Sequence, residues 1–366
     1  MKSFASKIRE YVPLFSLVMY ALTIVSLIFY VIVLNSTNFA DFFNYYLSAP
    51  TRLLMACVLV IFPFSIAEML IILSPILLCI LIWLCIKAAK KGKKASIRLV
   101  NVLLAIVCFI FVSFVWTYSS GYHTSTIDKK MNLDRSIDKQ ELYESYKIIV
   151  NELNSLADKI DYDETGASVM NYSYWELSSK ICDAYDSFVE KYPVLHTFSS
   201  KIKPIMLSEP MTYTHISGIY SYMTGEANLN VNYPDFVVCT SAAHEMAHQR
   251  GIAREDECNF IAFAVLLESD DLFLRYSAYL DVYANVASAL YKESPELFST
   301  VKLDSRVSGD RRSYSEFFKK YEDSKASEIA NSINNSYLQA NGQIHGTKTY
   351  GMIVENVCAY LIKKTK

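Results

Sequence analysis

The chain has 366 residues, enough for two domains; 52% of them are hydrophobic, and the formal net charge is only −2. The charge is unevenly divided: residues 1–118 hold 10 Lys and Arg against 3 Asp and Glu, and the remainder holds 25 against 34. An acidic C-terminal part excludes nucleic acid as an expected partner. The hydrophobic excess lies in the first third and indicates the lipid bilayer as a partner instead.

Two uncharged segments in the first third predict membrane-spanning helices. Residues 14–34 and 99–118 contain no Asp, Glu, Lys or Arg. Each is close to the length of about 20 residues that crosses the hydrocarbon core of a bilayer. We therefore predict a span in each of them.

Residues 52–86 form a third apolar stretch that is too long for a single span, since a helix of this length would far exceed the bilayer core. Pro63 is its natural break. We predict an interfacial or re-entrant piece at 52–62 and a span at 64–86 that is kinked near Pro75.

Basic residues near the predicted spans favour a cytoplasmic N-terminus. The segment before the first span and the segment between the second and third are rich in Lys and Arg, whereas residues 35–51 contain neither. Basic segments stay preferentially in the cytoplasm, so everything after the third span is expected outside the cell membrane. The predicted division is a membrane domain at 1–118, a linker at 119–138 and an extracytoplasmic domain at 139–366.

The extracytoplasmic domain begins with helical patterning and continues with strand-like segments. Apolar residues recur at helical spacing in 139–160 and 174–192. Three short segments rich in Tyr, Ile, Val and Thr follow at 202–207, 212–223 and 227–231, and they predict a small sheet. The third of them is our candidate for a cleft-edge strand to which an extended peptide can add. Helical patterning then resumes.

Directly after this predicted sheet, the chain carries the motif H-E-x-x-H, from His244 through Glu245 to His248. On a helix, residues four apart lie on one face, so both imidazoles can bind one zinc ion while Glu245 acts as general base. The predicted fold class is therefore N-terminal transmembrane α-helices plus a mainly α, α+β, zincin-like domain. In that domain the small sheet precedes the H-E-x-x-H helix.

A catalytic zinc site usually has three protein ligands and a water. The metzincin pattern requires a histidine where this chain has Arg254, which excludes that class. The gluzincin pattern instead takes a glutamate from the next helix. Glu255 is the predicted third ligand, with Asn259 one turn later orienting an imidazole from the second shell. Glu257 is an alternative third ligand, and Glu268 also remains open.

The segment 244–260 reads H-E-x-A-H-Q-x-G-x-x-R-E-D-E-x-N-F. It resembles the signature of an uncharacterised bacterial family of membrane-anchored proteins, common in Firmicutes, in which a few N-terminal spans precede a zincin-like domain. Residues 224–228, 341–343 and 350–351 carry further similarity. The resemblance implies a gluzincin-like zinc metallopeptidase.

The predicted function is hydrolysis of peptide bonds in cell-envelope proteins outside the cytoplasmic membrane, with Zn²⁺ as cofactor. His345 and Tyr350 are predicted catalytic residues that donate hydrogen bonds to the oxyanion. One alternative is a non-enzymatic membrane sensor or assembly protein with a structural metal site, and another is a zinc amidase acting on cell-wall peptide. Glu245 favours an enzyme, because a structural site needs no base. The motif lies more than 100 residues after the last predicted span, which disfavours cleavage within the membrane.

Overall fold

The computed structural model describes residues 4–322, 324–343 and 353–365, which are mostly helical with two small sheets. The N-terminal part comprises α1 (Phe4–Tyr11), α2 (Leu14–Asn35), α3 (Thr37–Phe42), a π-helix (Phe43–Ser48), α4 (Ala49–Leu59), α5 (Ile66–Ile72), α6 (Ser74–Lys91) and α7 (Lys93–Thr117). The following helices are a 3-10 helix (Ser119–Tyr122), α8 (Ile127–Lys130), α9 (Lys139–Ala157), α10 (Tyr174–Lys191), α11 (Ser208–Thr212), α12 (Asp235–Gln249), α13 (Glu255–Leu266), α14 (Leu272–Glu293), α15 (Pro295–Phe298), α16 (Ser305–Lys319), α17 (Lys325–Ala340) and α18 (Val354–Thr365). The strands are β1 (Asp161–Tyr162), β2 (Ser168–Val169), β3 (Lys203–Pro204), β4 (Gly218–Ser221) and β5 (Glu226–Leu229).

Among the described residues, α2 and α7 are each long and apolar enough to cross a membrane, and the bent pair α5 and α6 makes a third candidate. These are the regions in which spans are predicted, which is compatible with a membrane protein. The axes of α5 and α6 differ by 58°. The bend falls immediately before Ser74 and Pro75, as the proline predicts, because its ring lacks the N–H that would continue the α5 ladder.

The break between α4 and α5 is capped by two charged residues of the C-terminal part. Lys203 donates to the carbonyl oxygen of Leu59 at 2.9 Å and to that of Phe62. Glu226 accepts from the backbone N–H groups of Ile66 and Ala67 at 3.0 and 2.9 Å. A cation at a helix C-terminus and an anion at an N-terminus both complement the helix dipole. The broken apolar segment, which includes the predicted interfacial or re-entrant piece, is thus held by the sheet.

The stretch predicted as a linker contains the 3-10 helix and α8, and much of it is buried. Its Gly121 packs so tightly against the loop after the H-E-x-x-H helix that an added Cβ would lie 2.8 Å from the Gly251 oxygen and 2.9 Å from the Ala253 Cβ. The end of α7 is therefore in direct contact with the motif region. The last apolar helix and the motif are thus close in space, although more than 100 residues separate them in sequence.

The three-stranded sheet has the order β3-β5-β4, with β3 parallel and β4 antiparallel to β5. The prediction that 227–231 forms the edge strand is wrong, because this segment supplies the central strand β5. All four β5 residues are buried, because α12 packs on the sheet and α4 also contacts this strand. The predicted strand at 212–223 is shorter than expected, since its first residue belongs to α11 and only β4 is extended.

The core of the C-terminal part surrounds α12, which packs against α13, α14 and the strands β4 and β5. The predicted helices at 139–160 and 174–192 are present as α9 and α10. Asp138 and Glu141 form a capping box that fixes the start of α9. Because α12 is covered on several sides, most of its residues are buried, and the polar motif lies inside the protein.

Candidate metal centre

The two motif histidines lie one turn apart near the C-terminal end of α12. Their Nε2 atoms are 3.1 Å apart and point toward each other. His248 is buried and His244 is partly accessible. The helix ends at Arg250, and Gly251 then adopts a φ of +101°, a conformation that favours glycine and lets the chain turn back into α13.

Glu255 is the first residue of α13, and its carboxylate completes a triangle with the two histidines. Its Oε2 lies 3.2 Å from Nε2 of His244 and 3.5 Å from Nε2 of His248. Ligand bonds of about 2.1 Å in a tetrahedral zinc site place ligand atoms roughly 3.4 Å apart. The triangle therefore has the dimensions of one face of such a site.

The structure does not bring the two alternative ligands into this triangle. Glu257 accepts from the backbone N–H of Ile127 at 2.9 Å and pairs with Arg254 at 2.8 Å. Glu268 instead contacts three residues elsewhere, namely Lys191, Tyr360 and Lys364. Both carboxylates thus have other partners.

The second nitrogen of each histidine faces a hydrogen-bond acceptor. Nδ1 of His244 lies 2.8 Å from Oδ1 of Asn259, the residue predicted to orient an imidazole, and Nδ1 of His248 lies 2.9 Å from the Ile252 carbonyl oxygen. These contacts favour the tautomer with the proton on Nδ1, which leaves both Nε2 lone pairs directed at the triangle. Burial by itself raises the pKa of a carboxyl group, but the two histidines lower the pKa of Glu255 overall.

Cys258 was not predicted, yet it lies in the same cluster. The ligand atoms of His244, His248 and Cys258 are all within 4.8 Å of one another, so this trio can also hold a metal ion. However, the Cys258 sulfur lies 3.2 Å from Nδ1 of His248, on the other side of the ring from Glu255. Burial raises the pKa of the thiol to about 12. The carboxylate of Glu255 thus faces both Nε2 atoms, whereas the Cys258 sulfur contacts the outer nitrogen of His248.

Glu245 lies beneath the edge strand β4. Burial raises the pKa of its carboxyl group, while His244 and His248 oppose that shift. The backbone N–H of Tyr220 donates to it, and Oε2 has no hydrogen-bond partner within the described part of the chain. A Cβ on Gly218 would lie 2.6 Å from the Glu245 Cγ, so any larger residue there would displace the Glu245 side chain. Sequence reasoning missed Gly218.

Tyrosines from three regions of the chain surround the outer side of His248. The Tyr118 hydroxyl lies 3.0 Å from its Nδ1, and the Tyr118 ring packs against Tyr220 and Tyr122 at centroid distances of 5.6 Å. The Tyr337 ring is 6.3 Å from that of Tyr122. Burial raises the pKa of Tyr220 to about 12, so its hydroxyl stays protonated at neutral pH.

The two residues predicted to stabilise the oxyanion, His345 and Tyr350, lie outside the described residues. Their role stays a prediction. The structure brings together the other predicted site residues: His244, Glu245, His248, Glu255 and Asn259.

Fold and site together define a mostly helical protein, compatible with a membrane, in which a cluster able to hold a metal ion is built on an H-E-x-x-H helix. Residues 44–358 match the family described as "Protein of unknown function (DUF3810)", and the chain belongs to this family. The matched region includes both the apolar helices from Asn44 onward and the residues that could hold a metal ion. No curated protein and no solved structure matches the chain.

Proposed function

We propose that this protein is a membrane-anchored zinc metallopeptidase that hydrolyses peptide bonds outside the cytoplasmic membrane. The observation that carries the proposal is the triangle of His244, His248 and Glu255 with Glu245 beside it. Three ligand atoms at tetrahedral spacing leave a fourth position for water or substrate, as catalytic zinc sites do.

A zinc ion held by His244, His248 and Glu255 would supply Lewis acidity, which activates water as a nucleophile and polarises a carbonyl group. Glu245 accepts the proton of the attacking water and passes it to the leaving amine. Asn259 and the Ile252 carbonyl hold the two imidazoles in the required tautomer. The edge strand β4 offers main-chain groups for pairing with an extended peptide beside Glu245.

The test of this function uses the purified full-length protein in detergent. We expect about one zinc per chain, measured by atomic absorption, and cleavage of casein. Glu245→Gln should keep its zinc and lose activity by about 10²- to 10⁴-fold, the usual range for loss of a general base. Glu293→Gln, at the exposed end of α14, is the matched control and should match wild type.

Other results of this experiment would favour one of the alternative functions. Zinc without activity on casein or on peptidoglycan would indicate a structural metal site in a sensor or assembly protein. Cleavage of peptidoglycan but not of casein would indicate a cell-wall amidase. Full activity of Glu245→Gln would contradict the proposed mechanism.

Gly218→Ala is expected to reduce kcat/KM by about a hundredfold while the zinc content stays unchanged. The new methyl group would lie 2.6 Å from Cγ and 2.7 Å from Oε1 of Glu245, so that side chain must move. A misplacement of about 1 Å costs on the order of 10² in rate. The control is Gly309→Ala, whose Cβ has no neighbour closer than 3.8 Å. Wild-type kinetics for Gly218→Ala would show that Glu245 is not held against β4.

A further inference from the structure

The candidate metal centre is built directly onto the end of the last apolar helix. α7 ends at Thr117, and the next residue, Tyr118, places its hydroxyl 3.0 Å from the imidazole of His248. We propose that the site cleaves apolar, extended peptide segments of membrane-anchored proteins at the point where they leave the bilayer. This inference rests on the proposed peptidase function and adds its substrate class.

A second contact holds the motif against the apolar helices. The amide of Asn44, in the π-helix, donates to the Gly251 oxygen at 2.9 Å, and the guanidinium of Arg52 in α4 contacts the Arg250 oxygen at 3.4 Å. Both carbonyls belong to the turn that follows His248. With α7 crossing the membrane, the metal centre lies at the membrane surface.

α17 presents an apolar stripe that leads toward this centre. Ile329, Ile333 and Tyr337 lie one turn apart and are 62%, 66% and 37% exposed. Tyr337 contacts Tyr122 at the centre, so the two isoleucines continue the same face away from it. Exposed apolar stripes of this kind mark binding surfaces for apolar partners.

Both ends of α17 are placed close to the segment that contains the edge strand β4. Just before α17, the Tyr321 oxygen is 2.7 Å from Nε2 of His215, a few residues ahead of β4. Near the C-terminal end of α17, Tyr337 contacts Tyr122, whose neighbour Tyr118 packs against Tyr220 of β4. The segment before α17 therefore lies near the start of β4, and the C-terminal end of α17 lies near the tyrosines that pack on β4.

A peptide fits this arrangement better than a lipid chain does. Within the described residues, β4 pairs with β5 on one side only. An extended peptide can use the main-chain groups of β4 that face away from β5, apart from the Tyr220 N–H that donates to Glu245, while its side chains contact the isoleucines. A lipid chain has no amide groups for the strand.

The test uses full-length protein co-reconstituted into phosphatidylcholine vesicles with membrane-anchored reporters. Each reporter has a Leu/Ala span and an unstructured, apolar β-casein segment. In one reporter the segment directly follows the span, and in the other a 40-residue Gly/Ser spacer intervenes. We expect the first to be cleaved at least about tenfold faster, because the flexible spacer lowers the local concentration at the centre. Equal rates would overturn the inference.

The second arm replaces the stripe by the double variant Ile329→Ser and Ile333→Ser. We expect it to remove the preference for the directly attached reporter while the zinc content stays that of wild type. Leu272→Ser, an exposed position on α14, is the control. An unchanged preference in the double variant would show that the stripe does not bind substrate. Absence of any cleavage by wild type, or cleavage that persists in Glu245→Gln, would instead contradict the peptidase function itself.

Discussion

Glu255→Gln is expected to lower the zinc affinity of the protein by more than about a hundredfold. Loss of an outer-shell partner of a ligand typically costs 10- to 100-fold in affinity, so loss of an anionic ligand should exceed that range. The carboxylate Oε2 lies within 3.5 Å of both histidine Nε2 atoms, whereas a neutral amide is a much weaker zinc ligand. The measurement is a competition titration against a chromogenic zinc chelator.

Two variants on the same helix complete this comparison. Asn259→Ala removes only the acceptor of the His244 Nδ1–H and should cost about 10- to 100-fold. Cys258→Ser should retain one zinc per chain, because the sulfur lies on the Nδ1 side of His248. The reverse pattern, with zinc lost from Cys258→Ser and kept by Glu255→Gln, would assign Cys258 as the third ligand.

The local part of the site follows from sequence because it depends on helix geometry and one turn. His244 and His248 are four residues apart, and so are Glu255 and Asn259; Gly251 lies between the two helices. Helical spacing therefore predicts which side chains share a face. Cys258 was within reach of the same reasoning, since it lies three residues after Glu255.

Other parts of the site depend on contacts between distant segments, which spacing does not encode. Glu257 differs from Glu255 because Arg254 and the backbone of Ile127 hold its carboxylate. Gly218 matters only because β4 crosses Glu245. Strand order is also non-local, and for that reason an alternating apolar pattern at 227–231 did not distinguish a central strand from an edge.

The position of the candidate metal centre relative to the apolar helices could not be predicted, because the residues in contact are far apart in sequence. Tyr118 follows α7 directly and precedes His248 by 130 residues, yet their side chains touch. Likewise, Lys203 and Glu226 read as ordinary charged residues of a sheet, although they cap the break between α4 and α5. The backbone partners of these buried charges are far away in sequence, so only the folded structure shows which groups they bind.

Arg52→Met is expected to destabilise the protein by roughly 3–5 kcal/mol, because each buried acceptor that loses its donor costs about 1–3 kcal/mol and Arg52 serves more than one of them. Arg52 is 1% exposed and donates at 2.9 Å to the Asn44 side chain and at 2.8 Å to the Thr117 oxygen. Its other terminal nitrogen contacts the Arg250 oxygen at 3.4 Å. The methionine removes the charged donor that these buried oxygens share. The measurement is the Tm of the zinc-bound protein in detergent.

Because Arg52 joins the end of α7 to the turn after His248, its loss should also weaken the metal centre. We expect Arg52→Met to bind zinc less tightly, whereas Arg98→Met, which removes an exposed arginine at the other end of α7, should change neither Tm nor zinc affinity. Arg52→Lys keeps the charge but loses the planar guanidinium group. Its Tm and zinc affinity should therefore lie between those of Arg52→Met and Arg98→Met. If Arg52→Met lowers the Tm with unchanged zinc affinity, the apolar helices stabilise the fold without supporting the site. If it leaves both unchanged, the buried network around Arg52 does not join the two parts of the chain.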